Sequence, residues 1–490
     1  MDVILDVLGE IWGLFFDHIF VWNFLFATAI VFFQRRDPKS VWAWLLLLYF
    51  IPVLGFLFYL LLGQDFRKRK MFKIKELEDQ LNEAIRKQEH QLKEKAVEEL
   101  DDEIKDYKDL VMYNLEVAGS MLSNGNDIDI FSDGNEKFEA LMEDLRNAKS
   151  FIHIQYYIIK NDVLFNQIKD ILIEKAAQGV EVRVLFDAMG CRSVSHRFWK
   201  RLKEAGVKTA EFFPAILGRF QLRMNYRNHR KIVVIDNKVA YVGGFNVGKE
   251  YIGLDPKFGY WRDTHLRIQG EAVLSLQIRF ILDWNYAARE NLLQNLKMFE
   301  GLQNGKRDFC EMQIISSGPD NTSQQIRDNY MRLITKAEKS IYIQTPYFIP
   351  DESILSALMI AVRSGIEVNI MIPCKPDHPF VYWATYSYIG DMVRAGAKCY
   401  TYNNGFLHCK GIVVDGKVFC YGTANMDIRS FALNFEVNAV VYDRNKAQEM
   451  EQLFLEDLKV CQQITKDSYA MRSLKIRLKE QVCRLLSPLL

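Results

Sequence analysis

His229-Arg-Lys231-Ile-Val-Val-Ile-Asp236 and His408-Cys-Lys410-Gly-Ile-Val-Val-Asp415 are two copies of one pattern, His-x-Lys-x4-Asp, in a 490-residue chain that holds only eight histidines. Two copies with matching surroundings mark a duplication. Ser150-Phe-Ile-His-Ile-Gln155 answers Lys339-Ser-Ile-Tyr-Ile-Gln344, Gly179-Val-Glu-Val-Arg-Val-Leu185 answers Gly365-Ile-Glu-Val-Asn-Ile-Met371, and Ala205-Gly206 answers Ala395-Gly396. Each half reads as strand, helix, strand, helix and then the motif. Such alternation predicts an α/β fold of two repeated domains, each a mostly parallel sheet flanked by helices. Packed about a pseudo-two-fold axis, the halves would bring both motifs into one cleft.

Within the motif, His229 and Lys231, like His408 and Lys410, stand two residues apart, so on a strand they share a face and address one ligand. The aspartate has the opposite parity and precedes Asn237 or Gly416, after which the chain returns as Val239-Ala-Tyr-Val-Gly-Gly244 or Val418-Phe-Cys-Tyr-Gly422. Asp236 and Asp415 are therefore counted with the catalytic motif but expected at hairpin turns rather than as proton carriers. A lone His-x-Lys on an apolar strand is usually structural; the flanked repeat reverses that weighting. His18, His90, His153, His196 and His378 lack the context and receive no role, and His265 is left open.

These residues resemble the phospholipase D superfamily from about residue 130 to the C-terminus. Gly422-Thr-Ala-Asn425-Met-Asp427-Ile-Arg429-Ser430, followed by Asn434-Phe-Glu436, is similar to that family's trailing segment, and the first half offers Gly243-Gly244-Phe-Asn246 and Trp261-Arg-Asp263-Thr-His265. The resemblance implies that each catalytic His is held by a downstream carboxylate. Glu436 lies 28 residues after His408 and Asp263 lies 34 after His229, which suggests one pair within each repeat. It also implies phosphodiester chemistry. A neutral imidazole attacks an anionic phosphodiester without charge repulsion, and the second His protonates the departing alkoxide and then deprotonates the incoming alcohol. Lys231, Lys410, Asn246 and Asn425 would hold the non-bridging oxygens, with Arg227 near the head group. No metal and no cofactor are called for.

Within the superfamily, the layout resembles bacterial cardiolipin synthases: Arg36-Asp-Pro-Lys-Ser-Val-Trp-Ala-Trp44, the lead-in Asn225-Tyr-Arg-Asn-His-Arg-Lys231 and the terminal Arg484-Leu-Leu-Ser-Pro-Leu-Leu490 carry the likeness. The implied reaction transfers a phosphatidyl group from one phosphatidylglycerol to another, with release of glycerol through a phosphatidyl-histidine. A phospholipase D-type hydrolase would use the same residues with water as acceptor. A nucleic-acid phosphodiesterase would share the chemistry but show a basic groove, whereas the formal charge is +1, so no nucleic-acid partner is expected. A non-catalytic membrane scaffold would tolerate degraded motifs, and both copies are intact. Oligomeric state is not legible.

The organisation follows. Residues 12–33 and 41–62 are apolar and each near the roughly 20 residues that span a bilayer, so 1–65 is expected to form a transmembrane helical hairpin. No cationic start or cleavage site marks a signal peptide. The connecting loop holds Arg35, Arg36 and Lys39, while Arg67, Lys68, Arg69, Lys70, Lys73 and Lys75 follow the second segment. That bias favours a multi-pass cell-membrane protein with its catalytic region cytoplasmic. Eight cysteines with no C-x-x-C pair fit reduced thiols. Residues 66–125 read as a charged helical linker, 126–305 as the first repeat and 306–490 as the second. Met471, Leu474, Leu478, Val482 and Leu485 line one face of a basic terminal helix, which suits either anionic lipid or its own domain. Aromatic stretches at 212–220 and 380–388 suit cleft-rim loops for acyl chains or ordinary core, and Arg223, Arg227 and Arg230 suit anionic head groups.

Overall fold

The computed structural model describes residues 102–214, 226–292, 310–321 and 323–487, together with the helix Pro38–Phe50 and a few isolated positions near it. The chain divides into two units: 1–69 with 215–225, and the remainder. In the first unit the described helix opens with Pro38 at a position where its missing N–H costs nothing. Among the described residues no helix is long and apolar enough to cross a membrane. Most of the expected hairpin lies outside those residues.

The second unit is built on a sixteen-stranded sheet. From its middle outward, one side runs Leu122–Phe131, His265–Gln269, Val239–Gly243, Ile232–Ile235, Phe151–Tyr156, Glu181–Asp187 and Lys208–Phe212. The other runs Cys310–Ser317, Asn434–Tyr442, Val418–Gly422, Gly411–Val414, Ser340–Gln344, Glu367–Pro373 and Lys398–Tyr402, with Cys461–Ile464 added at the edge. Equivalent strands follow in the same order on both sides, which is the topology of a pseudo-two-fold pair. The halves join where Leu122–Phe131 pairs antiparallel with Cys310–Ser317.

The sheet is mixed, which corrects the expectation of a mostly parallel one. The three outer repeat strands of each half run parallel, and the sixteenth strand, Arg227–Asn228, lies parallel to the start of Asn434–Tyr442. The strand after each motif returns through a three-residue connection, 236–238 or 415–417, and so short a connection forces antiparallel pairing. Asp236 and Asn237 both have positive φ, as do Asp415 and Gly416. This is the type I′ geometry whose twist matches a hairpin, and Asp, Asn and Gly tolerate it best. Each aspartate also accepts three backbone N–H groups: Asp236 from Lys149, Ser150 and Phe151 at 2.7–2.8 Å, and Asp415 from Glu338, Lys339 and Ser340 at 2.8 Å. The motif aspartates thus pin each hairpin to the start of the neighbouring strand. This is the hairpin-turn position expected of them.

Helices begin where short polar side chains cap them: Asp133, Asp162, Asp351 and Asp443 each accept first-turn N–H groups. Apolar faces at helical spacing pack against the sheet in two cores, one per repeat. The helix Lys108–Ala118, expected at the end of the charged linker, buries Leu110, Val111 and Leu115 in the second repeat's core beside Tyr330 and Leu333. Its Asn114 is tied to Gln313 and Asn329 at 3.0 and 2.9 Å.

Candidate active site

The residue before each motif emerges from a strand of two residues that pairs with the other repeat. Arg227–Asn228 lies parallel to Asn434–Phe435, and Phe406–Leu407 lies parallel to Trp261–Arg262. The register continues one step further, with His229 N–H donating to Phe435 O at 2.9 Å and His408 N–H donating to Arg262 O at 2.7 Å. Glu436 and Asp263 follow immediately on those partner strands. Each carboxylate is therefore delivered to the histidine of the opposite half.

The pairing expected within each repeat is thus corrected. His229 Nδ1 lies 3.0 Å from both carboxylate oxygens of Glu436, and His408 Nδ1 lies 2.6 Å from Asp263 Oδ2. A carboxylate only accepts, so each Nδ1 carries the hydrogen and each Nε2 keeps the lone pair. Thr423 Oγ1 and Asn434 Nδ2 donate to Glu436 at 2.6 and 3.2 Å. Around Asp263, Thr264 N–H donates at 2.8 Å. A Cβ on Gly244 would collide with the Asp263 carboxylate, so glycine is required where the second repeat has Thr423. Tyr157 packs edge-on to His229 and Trp261 tilts against His408, with centroids 4.9 and 5.1 Å apart.

Electrostatics follow from burial. Desolvation lowers His229 despite Glu436, and desolvation with the Lys410 cation takes His408 down to about 4 in spite of Asp263. Both imidazoles rest neutral near pH 7. Burial raises the carboxylates, but His229 and Lys231 hold Glu436 below its usual range, while Lys410 and His408 do the same for Asp263. Burial also lowers both lysines, Lys231 to about 7. An anionic group bound beside them would favour their charged forms. His229 and Lys231 do not lie on one regular strand as expected: residues 229–231 bridge two short strands, and each lysine Nζ donates to the carbonyl of its own motif histidine.

One cavity of about 610 Å³ is lined by His229, His408, Asn246, Asn425 and Arg227, together with Tyr157, Tyr347, Asp427 and Arg429, which sequence reasoning did not assign. Asn246 Oδ1 accepts from Ile158 N–H at 3.1 Å, and Asn425 Nδ2 donates to Asp427 at 3.1 Å. Asn425 Oδ1 is buried without a partner, as suits a side chain that awaits a ligand or a turn of its amide. Burial raises Asp427 to about 6. Among the described residues no group of three or more His, Cys, Asp or Glu is placed to hold a metal ion.

The residues of the fold and of this cavity coincide with a family model. The description "Cardiolipin synthase, PLD-like domain" matches residues 141–256 and 330–458, and "Phospholipase_D-nuclease N-terminal" matches 21–64. This chain belongs to the cardiolipin synthase family of phospholipase D-like proteins. It is 50% identical over 476 residues to the major cardiolipin synthase of Bacillus subtilis, covering 96% of this chain and 98% of that one. It is 48% identical over 473 residues to a cardiolipin synthase of Staphylococcus aureus, covering 96% and 95%. The solved phosphatidylserine synthase of Haemophilus influenzae superposes with a TM-score of 0.57 at 15% identity over 74% of this chain and 95% of that one, a likeness of fold.

Several expected site residues sit elsewhere. Arg230, expected near head groups, is buried: its guanidinium binds Asp283 at 2.7 and 2.8 Å and donates to Ser316 and to the Glu436 carbonyl. It braces the strand that carries Glu436 and cannot meet a lipid. Arg262 does the corresponding work in this cardiolipin synthase relative, joining Asp457 at 2.9 Å and the Asp263 carbonyl. Phe212 and Phe213 pack on Phe435 and Tyr286 in the interior, while 215–225, Arg223 included, lies outside the described residues. The second aromatic stretch belongs to the helix Pro379–Ala395, not a loop. His265 is fully buried with neither ring nitrogen partnered, and His153 stacks between Phe151 and Phe280; neither meets the cavity.

Proposed function

We propose that this chain joins two phosphatidylglycerol molecules into cardiolipin with release of glycerol, by two displacements at one site. The observation that carries it is the pair of histidines lining one cavity, each with a carboxylate at Nδ1 supplied by the other repeat. One Nε2 attacks phosphorus, and the bond to the glycerol oxygen breaks. The other imidazole, protonated once the anionic phosphate is bound, gives its proton to the leaving glycerol oxygen. That histidine then takes the proton of the second lipid's head-group hydroxyl, whose oxygen displaces the enzyme nitrogen and regenerates the first. Lys231, Lys410, Asn246 and Asn425 stabilise the phosphoryl oxygens, and Glu436 and Asp263 stabilise each imidazolium as it forms. Arg227 offers a guanidinium to the lipid phosphate.

The membrane reading extends this. The match at 21–64 and the two apolar segments support an N-terminal hairpin, and the six cations at 67–75 support a cytoplasmic catalytic body. Anchored there, a second lipid hydroxyl is locally concentrated and competes with water for the phosphatidyl-enzyme.

Purified enzyme given phosphatidylglycerol alone is expected to yield cardiolipin and glycerol in equal amounts. Added glycerol should drive the reaction backward, because the exchange replaces one phosphodiester with another of similar energy. Phosphatidic acid as main product, at a ratio indifferent to glycerol, would replace the transferase with a hydrolase.

A further inference from the structure

The helix Leu474–Leu485 presents its apolar side outward. Leu474 is 80% exposed, Leu478 66%, Val482 47% and Leu485 81%, and Met471 in the preceding turn is 83% exposed. At 100° per residue the four helical positions fall within about 80° of arc. The opposite edge is the one that packs. Glu480 is fully buried, paired with Arg472 at 2.7 Å and accepting from Tyr469 at 3.1 Å, and Cys483 meets Ala384. An ordinary surface helix has the reverse polarity, with its leucines inside.

The flanks of the stripe are cationic. Lys475 and Lys479 border one side and Arg477 the other, and the helix's single acid is the buried Glu480. Apolar residues bounded by long cationic side chains, whose stems reach along the surface while their heads stay in water, form the geometry of a helix lying in the plane of a bilayer. A second copy would be repelled, because a two-fold pairing of this face sets like charges against each other. Anionic head groups complement it.

The stripe also adjoins the catalytic cavity. Lys479 Nζ sits over the Trp383 ring at 5.1 Å, and Arg484 binds Asp391 at 2.6 Å, both on the helix Pro379–Ala395. The start of that helix lines the cavity through His378 and Val381, and Phe380 beside them is 59% exposed.

We infer that Leu474–Leu485 is a second membrane contact, separate from the N-terminal segment, that lies in an anionic phospholipid surface and holds the cavity mouth against the lipid. The surface itself rests on exposure and charge; its value for turnover rests on the proposed lipid substrate. It also gives the enzyme a response to surface charge, because binding weakens with salt and with loss of anionic lipid.

The test places dansylalanine at position 478 of the full chain, and in a control at position 200, in lipid nanodiscs of phosphatidylcholine with or without phosphatidylglycerol. Emission from 478 should shift to the blue and be quenched by lipids brominated in the acyl chain, more so with phosphatidylglycerol and less so at high salt, while 200 stays unquenched. Leu474→Glu with Val482→Glu, both exposed positions, should return the emission to that of water. The same pair should raise the surface KM about tenfold with kcat nearly kept. Water-like, unquenched emission from 478 on anionic discs overturns the inference. So does blue emission that is unquenched by brominated lipid, whether it tracks protein concentration, which signals a second copy, or does not, which signals cover by the chain's own residues. Product identity is read separately: quenching without cardiolipin formation would sink the proposed reaction and leave the membrane contact standing.

Discussion

His229→Ala and His408→Ala should each reduce turnover by roughly 10⁴-fold or more with the fold intact, and the double variant should be little worse than either. The reason is that, in the proposed reaction, both imidazoles serve a single double displacement, and both line one cavity. Removing either leaves a pathway lacking an essential step, and a second removal takes away nothing further. Two independent sites would instead each retain about half of the activity when the other is lost. The motif aspartates should behave differently. Asp236→Ala or Asp415→Ala strands three backbone N–H groups and puts alanine at positive φ. The expected loss is roughly 2–4 kcal/mol of stability, seen as a lower thermal-inactivation midpoint, with kcat of the surviving folded enzyme changed less than about tenfold.

The second large effect concerns the crossed carboxylates. Glu436→Gln should lower kcat by about 10²–10⁴-fold, because the imidazolium of His229 loses its counter-charge and its tautomer is no longer fixed. Asp263→Asn should do the same through His408. The crossing itself is visible in nitrogen-15 histidine spectra, where eight histidines permit assignment by substitution. Glu436→Gln should move the His229 ring signals and leave those of His408 nearly in place; movement of His408 alone would restore the pairing suggested by sequence spacing.

That crossing marks where sequence stops being informative. Local physics left clear traces: the repeat, the type I′ turns at Asp236-Asn237 and Asp415-Gly416, and the small residues Gly243-Gly244 and Gly422-Thr423 that precede each cavity asparagine. Linear spacing, 28 residues for Glu436 and 34 for Asp263, pointed within each repeat. What decides the partner is a tertiary contact between strands two residues long, Arg227–Asn228 with Asn434–Phe435 and Phe406–Leu407 with Trp261–Arg262, and nothing in either segment's own periodicity reports it. The same limit applies to Arg230, whose charge suggested lipid until Asp283 appeared beside it. It applies equally to Lys108–Ala118, read as part of a charged linker, whose apolar residues enter the second repeat's core. The terminal helix left two choices open, and the structure shows it packing through Glu480 and Cys483 while its leucines face out.

The central claim is that a histidine of this single site carries the phosphatidyl group between two lipids. Rapid acid quenching of enzyme turning over phosphorus-labelled phosphatidylglycerol, followed by peptide mapping, tests it most directly. The account predicts label on the peptide holding His229 or His408, stable to base and lost on longer exposure to acid, as a phosphorus–nitrogen bond requires. Label on serine or aspartate, or no label from enzyme shown to be turning over, would contradict it.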